Sequence, residues 1–346
     1  MAAKVRREGG EVWIEGVEGF SPAEYADSVH GSQARILQLL GEPLTYDDLI
    51  CYSGFAFRVG VHREMCPSAG HPCCGFMCIE NGVRALPWRS RTFEAFPGSE
   101  PKDGRAAFEA SACAAIRASI DRGIPVHYGG EEDGLIVGYA DDGRRWWCIH
   151  PYHEWGREAF WYDEDKGFAG GHGHWPWGIE VWAEPRPESE RVSDHELTVS
   201  ALQQAVVMWR TERNADYFCG EAAYAHWLNW LRAVEAGKVS EPKAGMQGNG
   251  WCFDVLVHSR RIAGRWLQQH AESLEGEPRE CLRAAADHYR QIEGVCMNEL
   301  TCPWDLAPGP DRADQWTAAM RQTQIQRLEA ARASTIARPS RRSRRH

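Results

Sequence analysis

The chain has 346 residues, 43% of them hydrophobic and 25% charged, with a net charge of −10. That balance belongs to a folded globular chain and excludes disorder, collagen and coiled coil as the main architecture. Its acidity excludes nucleic acid as a partner for most of the surface, and no apolar run reaches the ~18 residues of a membrane span.

The chain is expected to fold as α+β. Ala23 to Leu40 reads as a helix, with Ala34, Ile36, Leu37 and Leu40 on one side and Gly41 as its stop. Thr45-x-x-Asp48 is a capping-box start for a short second helix. Arg105 to Arg122 is an Ala-rich helix ending before Gly123. Strands follow at 124–128, 135–140 and 145–149, with Asp141-Asp142-Gly143 as the turn of a hairpin. Phe160-Trp161-Tyr162 extends the same sheet, and Ile179 to Trp182 is read as its last strand. The Pro-rich stretch 184–189 marks a composition shift, so a first domain over 1–187 and a helical-bundle domain over 188–337 are expected. In the second domain Ser193-x-x-Glu196 opens the first of about five helices, and 245–250 is read as a loop. Tyr224, Trp227, Trp230, Trp251 and Trp266 at helical spacing are expected in its core. Arg338 to His346, with five Arg, reads as a disordered tail.

Met1 to Glu11 is charged and lacks the apolar core of a secretory signal, so a cytoplasmic location is expected, with the 12 Cys as free thiols. No phosphate-cradling glycine loop stands between a strand and a helix, and the sequence calls for no cofactor.

Three pieces of the first domain carry a resemblance: Arg122-Gly123-Ile124-Pro125-Val126, Leu135 to Asp142, and Ile149-His150-Pro151-Tyr152. Tyr52 to Arg58 and Gly220-x-x-Ala223-Tyr224-x-x-Trp227 add to it. Together they resemble the papain-like cysteine peptidase and acyltransferase superfamily. Within it they are most similar to the butirosin-biosynthesis acyltransferase N-terminal domain followed by a helical extension. The resemblance implies helices on an antiparallel sheet. It also implies a nucleophilic Cys opening the first long helix, a His on the strand before Gly-Tyr, and an Asp or Asn before the Pro.

The chain departs from that pattern at each of these places. The first helix holds Val29, His30, Gly31, Ser32 and Gln33, and no Cys precedes Cys51. Glu131, Glu132 and Asp133 stand where the His is expected, and His150 stands before Pro151. The expectation is a degenerate site that binds a small molecule or a peptide or acyl-carrier segment. Its lining candidates are His30, Ser32, Arg58, Asp133, Tyr139, His150 and Trp155. One alternative is an active acyltransferase or peptidase, with Cys66 as relocated nucleophile or with Ser32, His150 and Asp133 acting together. Another is an assembly protein working through its helical domain.

Cys66-x4-His71-x-Cys73-Cys74-x3-Cys78 is the densest set of soft ligands, and Cys66, His71, Cys73 and Cys78 are its candidate metal ligands. Against a metal, the spacing lacks paired Cys-x-x-Cys, and adjacent Cys73 and Cys74 diverge on any regular backbone. Buried thiols under a loop are the plainer reading. His150, His153, His172 and His174 among Trp155, Trp161, Trp175 and Trp177 suggest either an aromatic-lined pocket or a covered sheet edge.

Overall fold

The computed structural model describes residues 4–20, 25–94, 104–130, 132–150, 160–163 and 176–336. The first half carries β1 (Val5–Glu8), β2 (Glu11–Ile14), α1 (Ser28–Leu40), α2 (Tyr46–Tyr52), β3 (Gly60–His62), α3 (Cys78–Ala85), β4 (Trp88–Glu94), α4 (Arg105–Asp121), β5 (Val126–Gly129) and β6 (Gly134–Ala140). Then follow β7 (Arg145–Ile149), β8 (Phe160–Asp163), β9 (Gly178–Pro185), α5 (Asp194–Arg210), β10 (Arg213–Asn214), β11 (Tyr217–Cys219), α6 (Gly220–Glu235), α7 (Pro242–Glu272), α8 (Gly276–Met297) and α9 (Ala318–Ile336). The fold is mixed α+β with an antiparallel sheet. Among the described residues no helix is long and apolar enough to cross a membrane.

Two compact units divide the chain, and not at residue 187 alone. Met1–Leu49 and Arg84–Ser193 form one; Ile50–Val83 and Asp194–His346 form the other. The segment 50–83 leaves the first unit because β3 pairs with β11 and Val59, Val61, Met65 and Ala69 bury in the helical core. A contiguous reading of composition has no access to that long-range pairing. Residues 338–346 lie outside the described residues.

In the first unit the sheet runs β1-β2-β6-β5-β9-β4, with β7 also on β6 and β8 beyond β7. Local chemistry sets the elements that matter for the site. Asp27 caps α1 by accepting from the His30 N–H at 2.8 Å, so the helix begins at Ser28; Ala23, where the sequence reading starts it, lies outside the described residues. Gly41 closes it in the left-handed region at φ 73°. At α2 the Thr45 N–H donates to Asp48 at 3.0 Å, and the Asp48 N–H to the Thr45 hydroxyl at 3.2 Å, the reciprocal pair that the spacing predicts. Asp141 and Asp142 take φ of 50° and 55° and turn β6 into β7. On α4, Ala112, Ile116 and Ile120 recur every four residues and bury against Val126, Tyr128, Ile136, Cys148, Ile179 and Val181. Gly138 lets β2 cross close to β6, since a Cβ there would stand 2.7 Å from the Val12 carbonyl oxygen.

The second unit packs α6, α7, α8 and α9 around Tyr224, Trp227, Leu231, Phe253, Leu256, Ile292 and Leu328, with a small sheet of β10, β11 and β3. Strands β10 and β11 thus stand in a unit that the sequence reads as helical throughout, while β9 is the last strand in chain order of the first sheet. Tyr224, Trp227 and Trp266 are buried as expected, and Trp230 packs partly buried against the same core. The expected loop 245–250 lies inside α7. Its glycines serve close packing: a Cβ at Gly248 would meet the Met65 carbonyl oxygen at 1.8 Å, and one at Gly250 would meet the Trp304 ring at 2.2 Å. Packing on that face outweighs the poor helix propensity of glycine.

Candidate functional site

The first unit holds a chain of buried polar groups between α1 and the sheet. His127 lies on β5, directly opposite Glu180 on β9, and its Nδ1 is 3.0 Å from the Glu180 carboxylate. Its Nε2 is 2.5 Å from Oδ2 of Asp133, in the short connection before β6. Gln33 of α1 donates to the same Glu180 oxygen at 3.2 Å. Ser28, in the first turn of α1, accepts from the Asp133 N–H at 2.9 Å and donates to Glu132 at 2.5 Å. The helix thus touches both ends of an Asp133–His127–Glu180 line. All three of these residues are less than a tenth exposed.

Burial on its own disfavours the imidazolium. The bonds first to Asp133 and then to Glu180 outweigh it and raise His127 to about 10. For Glu180 burial works to raise the carboxyl, yet His127, and after it Gln33 and Ser90, hold it below the ordinary value. At neutral pH the line is therefore an imidazolium between two carboxylates. Glu180 Oε1 and Ser32 Oγ are buried with no hydrogen-bond partner among the described residues.

A second polar group sits at the start of α1. His30 Nδ1 lies 2.9 Å from both oxygens of Asp27. Tyr46 accepts from the Ala26 N–H at 2.7 Å and donates to Asp27 at 3.2 Å. Burial and then the Asp27 charge push the Tyr46 hydroxyl well above its ordinary value.

The sequence candidates divide accordingly. Ser32 and Asp133 are buried, on α1 and before β6, and His150 is buried just after β7. Asp133 spends one oxygen on His127, a residue that the sequence reading passed over. Tyr139 donates to Asp121 at 2.9 Å at an exposed position shared with Arg7. Trp155, His153, His172, His174, Trp175 and Glu131 lie outside the described residues. His127 and Glu180 were missed, although each is a polar residue set among apolar ones in a strand. That is the signal that marks a buried polar pair.

In the second unit Arg58 is an interior strut. Its buried guanidinium donates to the carbonyls of Ala69 at 2.7 Å and His71 at 3.0 Å, reaches Cys74 O at 2.5 Å, and lies over the Phe55 ring. This pins the loop that follows the short turn Pro67–Gly70. Cys73 Sγ is 2.8 Å from His71 Nδ1 and 3.7 Å from Cys74 Sγ. The two sulfurs do not diverge, because residues 71–77 form irregular turns and the regular-backbone argument does not apply there. Cys66 lies beside this group: Ser68 Oγ donates to its sulfur at 3.1 Å and is 3.0 Å from the Tyr217 hydroxyl. Cys78 opens α3, fully buried. The Cys74 thiol falls to about 5, through the bond with Cys73 first, against burial, with Tyr217, His71 and Arg58 adding to the fall.

No protein-family model matches this sequence, and no curated protein matches it.

Proposed function

We propose that this chain is a binding protein of papain-like architecture, without acyl-transfer or hydrolytic chemistry in its first unit. In this reading the polar line between α1 and the sheet receives a small amine. The observation that carries it is His127 with both ring nitrogens facing carboxylates. A general base needs one nitrogen open to the nucleophile's proton and a pKa near the working pH. His127, at about 10, meets neither condition. The described cysteines of this unit are Cys113, on α4, and Cys148, on β7. Burial holds the Cys148 thiol well above its ordinary value, so it is no nucleophile.

The ligand class follows from charge. Asp133 and Glu180 outnumber His127 by one negative charge, and Glu180 Oε1 and Ser32 Oγ are buried acceptors lacking a donor among the described residues. An ammonium group supplies donors and charge together, whereas a carboxylate ligand would meet repulsion. The test is a thermal-shift and calorimetric screen of small amines against matched carboxylic acids, on the unaltered chain and on Glu180→Gln. Saturable binding of an amine that Glu180→Gln weakens supports the reading. Binding confined to carboxylates, or no binding by either series, overturns it.

A second reading rests on the His71–Cys73 contact of 2.8 Å, which is thiol and base within bonding reach. A cysteine-type acyltransferase with a relocated nucleophile would then centre on Cys73 and not on Cys66. Loss of thioester turnover in Cys73→Ser, with Cys66→Ser active, is the result that favours it.

A further inference from the structure

The loop between Pro67–Gly70 and α3 brings three soft donors to one place. The ligand atoms of His71, Cys73 and Cys74 all lie within 4.8 Å of one another, and each residue is half-buried. Two thiolates on a tetrahedral zinc, each at ~2.3 Å from the ion, stand ~3.8 Å apart. The Cys73 and Cys74 sulfurs are 3.7 Å apart, already at that separation. The imidazole is closer to Cys73, at 2.8 Å, than the ~3.6 Å edge of such a site, so His71 moves outward by less than ~1 Å to admit the ion.

The loop does not need the ion to hold its shape. Arg58 fastens the carbonyls of Ala69, His71 and Cys74 from beneath, which fixes the backbone of two of the three donors. Such support around a donor set is what keeps metal ligands oriented. The positive charge of Arg58 also offsets the two thiolates. The Tyr217 hydroxyl, bonded to Ser68 and favouring the Cys74 thiolate, stands beside the sulfurs.

We propose that His71, Cys73 and Cys74 form a zinc site with three protein ligands and a fourth position left to water or an outside ligand. Binding forms one Zn–N and two Zn–S bonds. Any thiol proton still held goes to solvent, and no electron moves. Cys66 and Cys78 are not ligands, which separates this site from the set that spacing suggests.

The test uses the full chain, stripped with a chelator and titrated with Co²⁺. One equivalent should produce thiolate-to-cobalt charge-transfer absorption, which Zn²⁺ then abolishes. His71→Ala, Cys73→Ser and Cys74→Ser should each lose that band, while Cys66→Ser and Cys78→Ser keep it, with circular dichroism confirming the fold of each. On the unaltered chain, Zn²⁺ should slow alkylation of Cys73 and Cys74, read by peptide mass spectrometry, by about tenfold or more, and leave exposed Cys281 unchanged. This second arm decides the matter if a variant misfolds. No charge-transfer band, a band that survives in Cys73→Ser or Cys74→Ser, or Zn²⁺ that protects no thiol of the pair overturns the site.

Discussion

Asp133 and His127 are six residues apart and joined at 2.5 Å across the β5–β6 connection, while the far side of the same ring faces Glu180 at 3.0 Å. Each of the three needs the others, since a buried charge left without its partner is far costlier than a complete set. Asp133→Asn and His127→Gln should therefore each destabilise the first unit by about 3–5 kcal/mol. Urea unfolding followed by near-ultraviolet circular dichroism measures it. A loss below about 1 kcal/mol for both variants would mean that the line is solvated.

The same bonds set a pH window. His127 is raised from 6.5 to about 10, so its stabilisation is full below pH 6.5 and is lost as the pH climbs through 10. Glu180 is lowered from 4.5, so its share is full above pH 4.5 and is lost as the pH falls through the lowered value. The unit should be most stable between those limits and weaken through the alkaline range. In melting temperatures measured from pH 4 to pH 10, His127→Gln should flatten the alkaline arm. An unchanged slope there would contradict the assignment.

Two helical glycines should respond in opposite directions to the same change. Gly248 of α7 has no room, since its Cβ would fall 1.8 Å from the Met65 carbonyl oxygen. Gly294 of α8 has nothing within 4 Å. Gly248→Ala should cost more than about 3 kcal/mol, because the obstacle is backbone and cannot rotate away. Gly294→Ala should gain about 0.5–1 kcal/mol from helix propensity alone. Chemical denaturation of the pair separates glycine used for packing from glycine that is merely tolerated.

These glycines also show where the sequence could be read and where it could not. The Thr45–Asp48 cap, the Asp141–Asp142 turn and the Ala-rich helix α4 depend on residues within a few positions of each other, and all three appear where the sequence places them. Gly245, Gly248 and Gly250 depend on Met65, Trp230 and Trp304, far away in the chain, so a run that reads as a loop is helix. Residues 50–83 join the second unit through the same kind of distant contact, since β3 finds its partner at β11. At the site, Asp133 and Cys73 stand among the sequence candidates, whereas Cys74 is set aside there by a regular-backbone argument that the irregular turns of 71–77 do not obey. His127 and Glu180 were not legible, because only the pairing of β5 with β9 sets them face to face.

Asp254 of α7 extends the electrostatic argument to the second unit. Burial raises its carboxyl from 3.8 to about 7, against weaker opposition from Trp304 and Arg261. Nearby His258, with Nδ1 at 3.5 Å, is lowered from 6.5 to about 4, by burial and then Arg261. A carboxyl that binds its proton more tightly when folded supports the fold most below pH 3.8. That support is lost as the pH rises to 7, above which the penalty is constant. His258 has the opposite sign: its share is full above pH 6.5 and is lost as the pH falls through 4. Asp254→Asn keeps the shape and removes only the carboxyl's part. The variant's advantage over the parent should be near zero at pH 4, grow to about 2–4 kcal/mol by pH 7, and stay level to pH 8. Urea midpoints at those three pH values test it. An advantage of equal size at pH 4 and pH 8 would show that Asp254 is charged throughout and that its partners, not its burial, control it.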